Sequence, residues 1–336
     1  MSIQEPIHDV AQLAMVQLFT PKYDESLRFF QDFLGMYKHA EDDGSAYLRA
    51  YEDRYHHSLK LTRSDQAGVG VISWRAMSPQ ALERRVAAIE AVGRPGKWVE
   101  GHKGYGRAYE FTTPDGHVNH LFWDVEYFVP TDEQRSRLIS RAQKRPLTGV
   151  PVRRLDHVNV MVSDVTGNAR FLEDALGFRK RENVVFHGTQ ELACWLSVSP
   201  LVHEIAMTKD QSGPGNRLHH LAFWYGNQGQ MLDIADLFAE YGIHVEAGPA
   251  KHGISQGYFM YLYEPGGNRI ELFGDTGYLI FDPDWKTVTW TEENFWTDGG
   301  VWYGGDLPQD FFVYGTPIVE AAQKQIAAAE QTEAAE

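Results

Sequence analysis

The chain has 336 residues and a net charge of -15, from 31 Lys and Arg against 46 Asp and Glu. That balance argues against a nucleic-acid partner, whose phosphates would be repelled. The single cysteine, Cys194, excludes an internal disulfide and any zinc site built from several thiolates. Apolar residues make up 43% of the chain, enough to bury a full core. No run approaches the roughly 20 apolar residues of a membrane span. The N-terminus, MSIQEPIHDVAQ, lacks the charged and apolar regions of a signal peptide. A soluble cytoplasmic protein with no membrane partner is expected. Its 14 histidines invite a search for metal ligands.

In chain order, an extended segment, LAMVQLF (13–19), leads into YDESLRFFQDFLGMY (23–37). Leu27, Phe30 and Leu34 there follow a helical rhythm that Gly35 ends. SPQALERRVAAIEAVG (78–93) predicts a second helix, with Ser78 as N-cap, Pro79 at its first position and Gly93 as its stop. A hairpin, YEFTTPDGHVNHLFW (109–123), follows. The order then repeats. LDHVNVMV (155–162) precedes VTGNARFLEDALGFR (165–179), with Ala169, Leu172 and Leu176 in helical register before Gly177. QMLDIADLFAEYG (230–242) matches the second helix, and YLYEPGGNRIELFG (261–274) matches the hairpin. The domains implied are 1–134, a linker at 135–152, a second unit at 153–290, and an extension and polar tail at 291–336. The tail 321–336 reads as a fraying helix or disorder. Trp285, Trp290, Trp296 and Trp302 make a lid over a pocket or a contact between subunits.

Three short pieces carry the chemistry. In LDHVNVMV, alternation puts His157, Asn159 and Met161 on one face, opposite three valines. In RLHHLAFWY (217–225), His219 and His220 should face opposite ways, and alternation does not say which serves a site. In the last hairpin, pairing about Pro265-Gly266-Gly267 sets Tyr261 opposite Glu271, with Ile270 and Leu272 on the other face. An inward glutamate in an apolar strand needs compensation for its charge, which a metal supplies. Each piece has a bland alternative: a core histidine, a packed HH pair, an exposed edge glutamate. Together they offer two imidazoles and a carboxylate on separate strands, the donor set of non-haem Fe(II). Zinc takes such ligands too, so the donors leave the metal open.

The stretch from His252 to Glu271, HGISQGYFMYLYEPGGNRIE, resembles the signature of type I extradiol catechol dioxygenases in its His, apolar-Tyr pair, acidic-Pro step, Gly and terminal Glu. Ala250 departs from that pattern. LDHVNV, WLSVSPLVHEIA (195–206) and NRLHHLAF (216–223) also resemble the family, in the right order. The resemblance implies an α+β fold of the vicinal-oxygen-chelate type, with duplicated βαβββ modules in two open, barrel-like sheets. It makes His157, His220 and Glu271 the metal ligands. It makes His203 the acid/base residue, suited to a pKa near 7, and gives catalytic parts to Tyr261, His252 and Asn159. Trp195, His252, Tyr261 and Ile254 would contact substrate. Met15, a Val near 71, and His120 stand at the corresponding places of the first half, which implies a structural role there.

The implied reaction is extradiol opening of a catechol with O2 to a 2-hydroxymuconic semialdehyde-type product. It would depend on Fe(II), with Mn(II) as the alternative, in a homotetramer. VEAGPAKHG (245–253) holds Lys251 but no Arg, so catechol or an alkyl- or halo-catechol is favoured over a carboxylated one. Rival readings are a zinc or nickel glyoxalase-like isomerase, a keto-acid-dependent dioxygenase, and a metal-free binding module of the bleomycin-resistance kind.

Overall fold

The computed structural model describes residues 7–275 and 277–333. Residues 1–6 and 334–336, on which the leader and part of the tail expectations fall, lie outside the described residues.

The first half contains β1 (Val10–Thr20), α1 (Tyr23–Arg28), β2 (Tyr37–Asp42), β3 (Ser45–Arg49), β4 (Leu59–Arg63), β5 (Gly68–Ala76), α2 (Pro79–Ala91), β6 (Lys97–Val99), β7 (Ala108–Thr112) and β8 (Val118–Phe122). The second contains β9 (Arg154–Val162), α3 (Val165–Leu176), β10 (Arg179–Phe186), β11 (Gln190–Ser197), β12 (Ile205–Lys209), β13 (Arg217–Trp224), α4 (Gln228–Glu240), β14 (Val245–Lys251), β15 (Tyr258–Tyr263) and β16 (Arg269–Phe273). A short β17 (Val288–Trp290) follows.

The first sheet runs β2-β3-β4-β1-β5-β8-β7-β6. The second repeats that order as β10-β11-β12-β9-β13-β16-β15-β14, with β17 added parallel to β10. Each sheet is two βαβββ modules joined where their first strands pair antiparallel, β1 with β5 and β9 with β13. Both sheets are open, and the α+β expectation holds.

Local sequence explains the helices. The Ser78 side chain accepts from Ala81 N–H, and Pro79 opens α2. Asp164 caps α3, and Gly177 ends it in the left-handed region (φ 77). The first helix differs from expectation: after Arg28 the chain widens into a π-turn over Phe29–Phe33 before Gly35 (φ 58) stops it. Phe29 from that turn stacks on Phe238 of α4 and Phe33 packs tilted against it, with ring centroids 6.2 and 5.8 Å away. One continuous apolar core therefore runs through both halves. Val158, Val160 and Val162 of β9 point into it, which turns His157 and Asn159 to the other face of the sheet.

Candidate metal centre

Five neighbouring lanes of the second sheet each contribute one side chain to a common point. In order they are His203, just before β12, His157 on β9, His220 on β13, Glu271 on β16 and Tyr261 on β15. Tyr261 pairs directly with Glu271, as the hairpin spacing predicts.

Glu271 Oε2 lies 2.8 Å from His157 Nε2 and 3.1 Å from His220 Nε2, and the two nitrogens are 3.2 Å apart. Ligands about 2.1 Å from one ion on a single face stand about 3 Å from each other, so this spacing fits a divalent ion. All three side chains are buried, and they could hold a metal. Burial favours the neutral acid of Glu271, but the His157 ring beside it outweighs burial and holds the carboxyl well below its usual range. Burial lowers His157, yet Glu271, together with Asp156, carries it up to about 9. Burial takes His220 down to about 4 against the pull of Glu271. The pocket thus favours one positive charge held against an ionised glutamate.

The partners behind the ligands fix their tautomers. His157 Nδ1 donates to Asp156 Oδ2 at 2.7 Å, and Asp156 Oδ1 pairs with Arg154 at 2.8 Å. His219 Nε2 donates to the Phe311 carbonyl at 2.9 Å, leaving its Nδ1 to accept from His220 Nδ1 at 2.7 Å. Once a bound ion displaces the Nε2 proton of His157, both arrangements aim an Nε2 lone pair at the shared point. Strict alternation, which should turn His219 away from His220, fails here. Leu218 pairs with Val160 but His220 with Asn159, so His219 is the extra residue of a bulge, and both rings reach the cavity.

The cavity in front of the three donors has a volume of about 610 Å³, within the range of small-molecule sites. Every expected site residue lines it: Asn159, Trp195, His203, His252, Ile254 and Tyr261 join the three donors. Asn159 Oδ1 accepts from Thr208 at 3.1 Å. His252 donates through Nδ1 to the Gly300 carbonyl, so its Nε2 accepts the Tyr261 hydroxyl at 3.1 Å. The His203 ring sits 4.1 Å from that of His157, centroid to centroid. Burial, then the neighbouring His157, pushes His203 well below its usual value rather than leaving it near 7. Glu204 behind it is raised to about 7 by burial, although Val198 N–H and Ser199 hydrogen-bond to it.

Sequence reasoning missed much of the apolar wall. Phe186, Leu192, Phe295, Leu307, Phe311 and Phe312 all line the cavity, several of them from the extension. Their aromatic content was the available signal, but nothing local ties positions 307–312 to a site in strands. Trp296 lines the cavity and is largely exposed. Trp290 Nε1 donates to Glu182 at 2.6 Å, fastening β17, just before the extension, to β10. Among the described residues no arginine lines the cavity, and Lys209, which does, donates to the Ser163 carbonyl. Lys251 stands off it, over the Tyr258 ring. In the first half the register puts Met15, Val71 and His120 at the places of the three donors, and His120 is bound to Glu110 and Tyr105.

A family model for the glyoxalase, bleomycin resistance protein and dioxygenase superfamily matches residues 12–121 and 154–272, one match in each half. The chain belongs to that superfamily. It is 51% identical over 317 residues to a metapyrocatechase of Geobacillus stearothermophilus, covering 94% of this chain and 97% of the relative. It is 37% identical over 303 residues to a manganese-dependent 2,3-dihydroxybiphenyl 1,2-dioxygenase of Geobacillus genomosp. 3, covering 89% and 95%. The crystal structure of homoprotocatechuate 2,3-dioxygenase from Arthrobacter globiformis superposes with a TM-score of 0.81 at 27% identity, over 94% of each chain. Within the superfamily this chain is an extradiol ring-cleaving dioxygenase, an oxidoreductase acting on catechols with O2. The isomerase and binding-module readings fall away. The described helices include none long and apolar enough to cross a membrane.

Proposed function

We propose that the chain cleaves catechol, or an alkyl- or halo-substituted catechol, beside its diol, with Fe(II) held by His157, His220 and Glu271. Mn(II) is the alternative ion, since the same donors suit both and one relative is named as manganese-dependent. The observation that carries the reading is the convergence of those three donors, about 3 Å apart, at the floor of an apolar cavity.

The bound ion would supply Lewis acidity to the two diol oxygens and an electron path from the ring to dioxygen. The chain's own residues do the rest. His203 takes the second phenolic proton and returns it to oxygen as the ring opens. The Tyr261 hydroxyl, which rests as a donor to His252 Nε2, turns its one proton from His252 to oxygen as negative charge develops there. Asn159 is held by Thr208 at the β9 edge of the cavity. Trp195 and Ile254 flank the ring, and the aromatic wall excludes water. The domains 1–134 and 153–290, with their linker and extension, divide the work: the first is scaffold, the second holds the site. A cytoplasmic homotetramer completes the reading, on the family resemblance and on the buried, free Cys194.

A carboxylated catechol of the homoprotocatechuate type is the second reading, favoured by the structural neighbour and disfavoured by the lack of a lining arginine among the described residues. A panel of catechol, 3- and 4-methylcatechol, chlorocatechols and 3,4-dihydroxyphenylacetate, offered in air to Fe(II)- and Mn(II)-loaded protein, tests both. Yellow ring-opened product with kcat/KM at least 10-fold higher for the uncharged substrates is expected. Equal or higher kcat/KM for the carboxylate overturns the substrate reading.

A further inference from the structure

The first half gathers a second set of metal-type donors, away from the three places that correspond to the catalytic site. One donor atom each from His39, His56 and Glu126 lie within 4.8 Å of one another. They arrive from three stretches: His39 from β2, His56 from the segment between β3 and β4, Glu126 from the chain just past β8.

Two backbone features bring them together. Lys38 pairs with Leu48 and Ala40 with Tyr47, so His39 is the extra residue of a β-bulge. A bulge re-aims the side chain it inserts, as the bulge at His219 does in the other half. His56 N–H donates to the Glu126 carbonyl at 2.9 Å, and Glu126 N–H donates to the Gly104 carbonyl at 2.8 Å, which locks these two residues side by side. The His39 and His56 rings then meet at 4.4 Å and 78°. His56 is buried, His39 is half-buried and Glu126 is exposed, so the set opens to solvent at one edge.

The electrostatics permit a cation. Burial, and then Arg49, lowers His39, while burial, and then His39, takes His56 to about 4. Both shifts favour the neutral imidazole, which has a lone pair to give. Lys103 and Arg49 oppose a further positive charge and Glu126 favours it. The Arg49 guanidinium is already engaged with the Gln143 side chain, the Asp53 carbonyl and the Phe128 ring.

We propose that His39, His56 and Glu126 form a second divalent-metal site, of the Zn2+, Ni2+ and Cu2+ class, with water completing its coordination. Two imidazoles and one exposed carboxylate rank these ions above Fe2+ and Mn2+. The ion would tie β2, the 53–57 segment and the stretch after β8 together, and it has no part in ring opening. Binding to the folded chain alone also raises thermal stability.

The test uses the full chain with its catalytic centre first loaded with Mn(II) and freed of excess, then dialysed against Zn2+ at about 5- to 10-fold excess. Bound metals are counted by mass spectrometry. The expected result is two metal ions per chain in total, at least one of them Zn, with a raised melting temperature. His39→Ala and Glu126→Gln should keep the one ion of the catalytic centre and bind the second at least 10-fold more weakly. Glu126→Gln leaves its backbone bond to His56 intact, so loss of fold does not confuse the reading. No Zn uptake, Zn uptake only by displacement of Mn, or equal uptake by both variants overturns the proposal. None of these outcomes depends on whether the chain turns over a catechol.

Discussion

His219 Nδ1 stands 2.7 Å from His220 Nδ1, and the opposite nitrogen of His219 holds the Phe311 carbonyl at 2.9 Å. A chain of hydrogen bonds thus runs from a metal-donor histidine to the aromatic wall of the extension. His219→Ala removes the acceptor that fixes the His220 tautomer. Affinity for Fe(II) or Mn(II) should fall about 10- to 100-fold, as read by anaerobic metal titration. An unchanged Kd would show that His219 only fills space.

Tyr261 of β15 presents its hydroxyl beside the donor cluster, opposite Glu271. Tyr261→Phe keeps the ring packing against Phe311, whose centroid is 4.8 Å away. It deletes only the hydroxyl. Steady-state kinetics should show kcat down by about 100-fold with KM for catechol changed far less. A kcat within a factor of two of wild type would remove Tyr261 from the reaction.

Glu182 fastens the 278–290 stretch that leads into the extension. It is buried and accepts from Trp290 Nε1 at 2.6 Å, Ser255 N–H at 2.7 Å and the Tyr278 hydroxyl at 2.8 Å. Ser255 neighbours the cavity residue Ile254. Glu182→Ala should cost about 2–4 kcal/mol in denaturant unfolding and raise KM more than it lowers kcat. If KM holds while stability falls, that stretch is a brace with no part in substrate binding.

Glu204 supplies a pH signature. Its carboxyl rises from an ordinary value of 4.5 to about 7 in the fold, chiefly through burial. The folded state therefore binds that proton more tightly than the unfolded chain does. Its stabilising share is whole below pH 4.5, is lost as pH rises toward 7, and stays lost above. Glu204→Gln removes this dependence. The variant should gain on wild type by about 2–3 kcal/mol between pH 4.5 and pH 8, measured by urea unfolding. Parallel stability curves for the two proteins would contradict it.

Much of the site was legible because it sits on regular strands. Alternation in β9 placed His157 correctly, and the Pro265–Gly267 loop fixed Tyr261 against Glu271, since both rules are local. The HH pair was misread for a physical reason. Alternation assumes an unbroken ladder, and the bulge at His219 is set by how β13 meets β9, two strands far apart in the chain. The wall built by Phe311 and Phe312 was hidden likewise: a non-repetitive segment docks by long-range packing that has no period to read. The helix after Tyr23 was found, but its π-turn answers to Phe238 across the core. His203 was placed in the site, while its depressed pKa depends on burial that position in the chain does not reveal.

The central claim is that three donors of the second half hold one divalent ion on which ring opening depends. Its most direct measurement is metal content and product formation on the same anaerobically reconstituted samples of wild type and Glu271→Ala. The account predicts one catalytic Fe(II) or Mn(II) per wild-type chain, with yellow product from catechol on admission of air. It predicts loss of both in Glu271→Ala while the fold, by circular dichroism, persists. Full turnover by Glu271→Ala, or turnover by wild type stripped of metal, would contradict it.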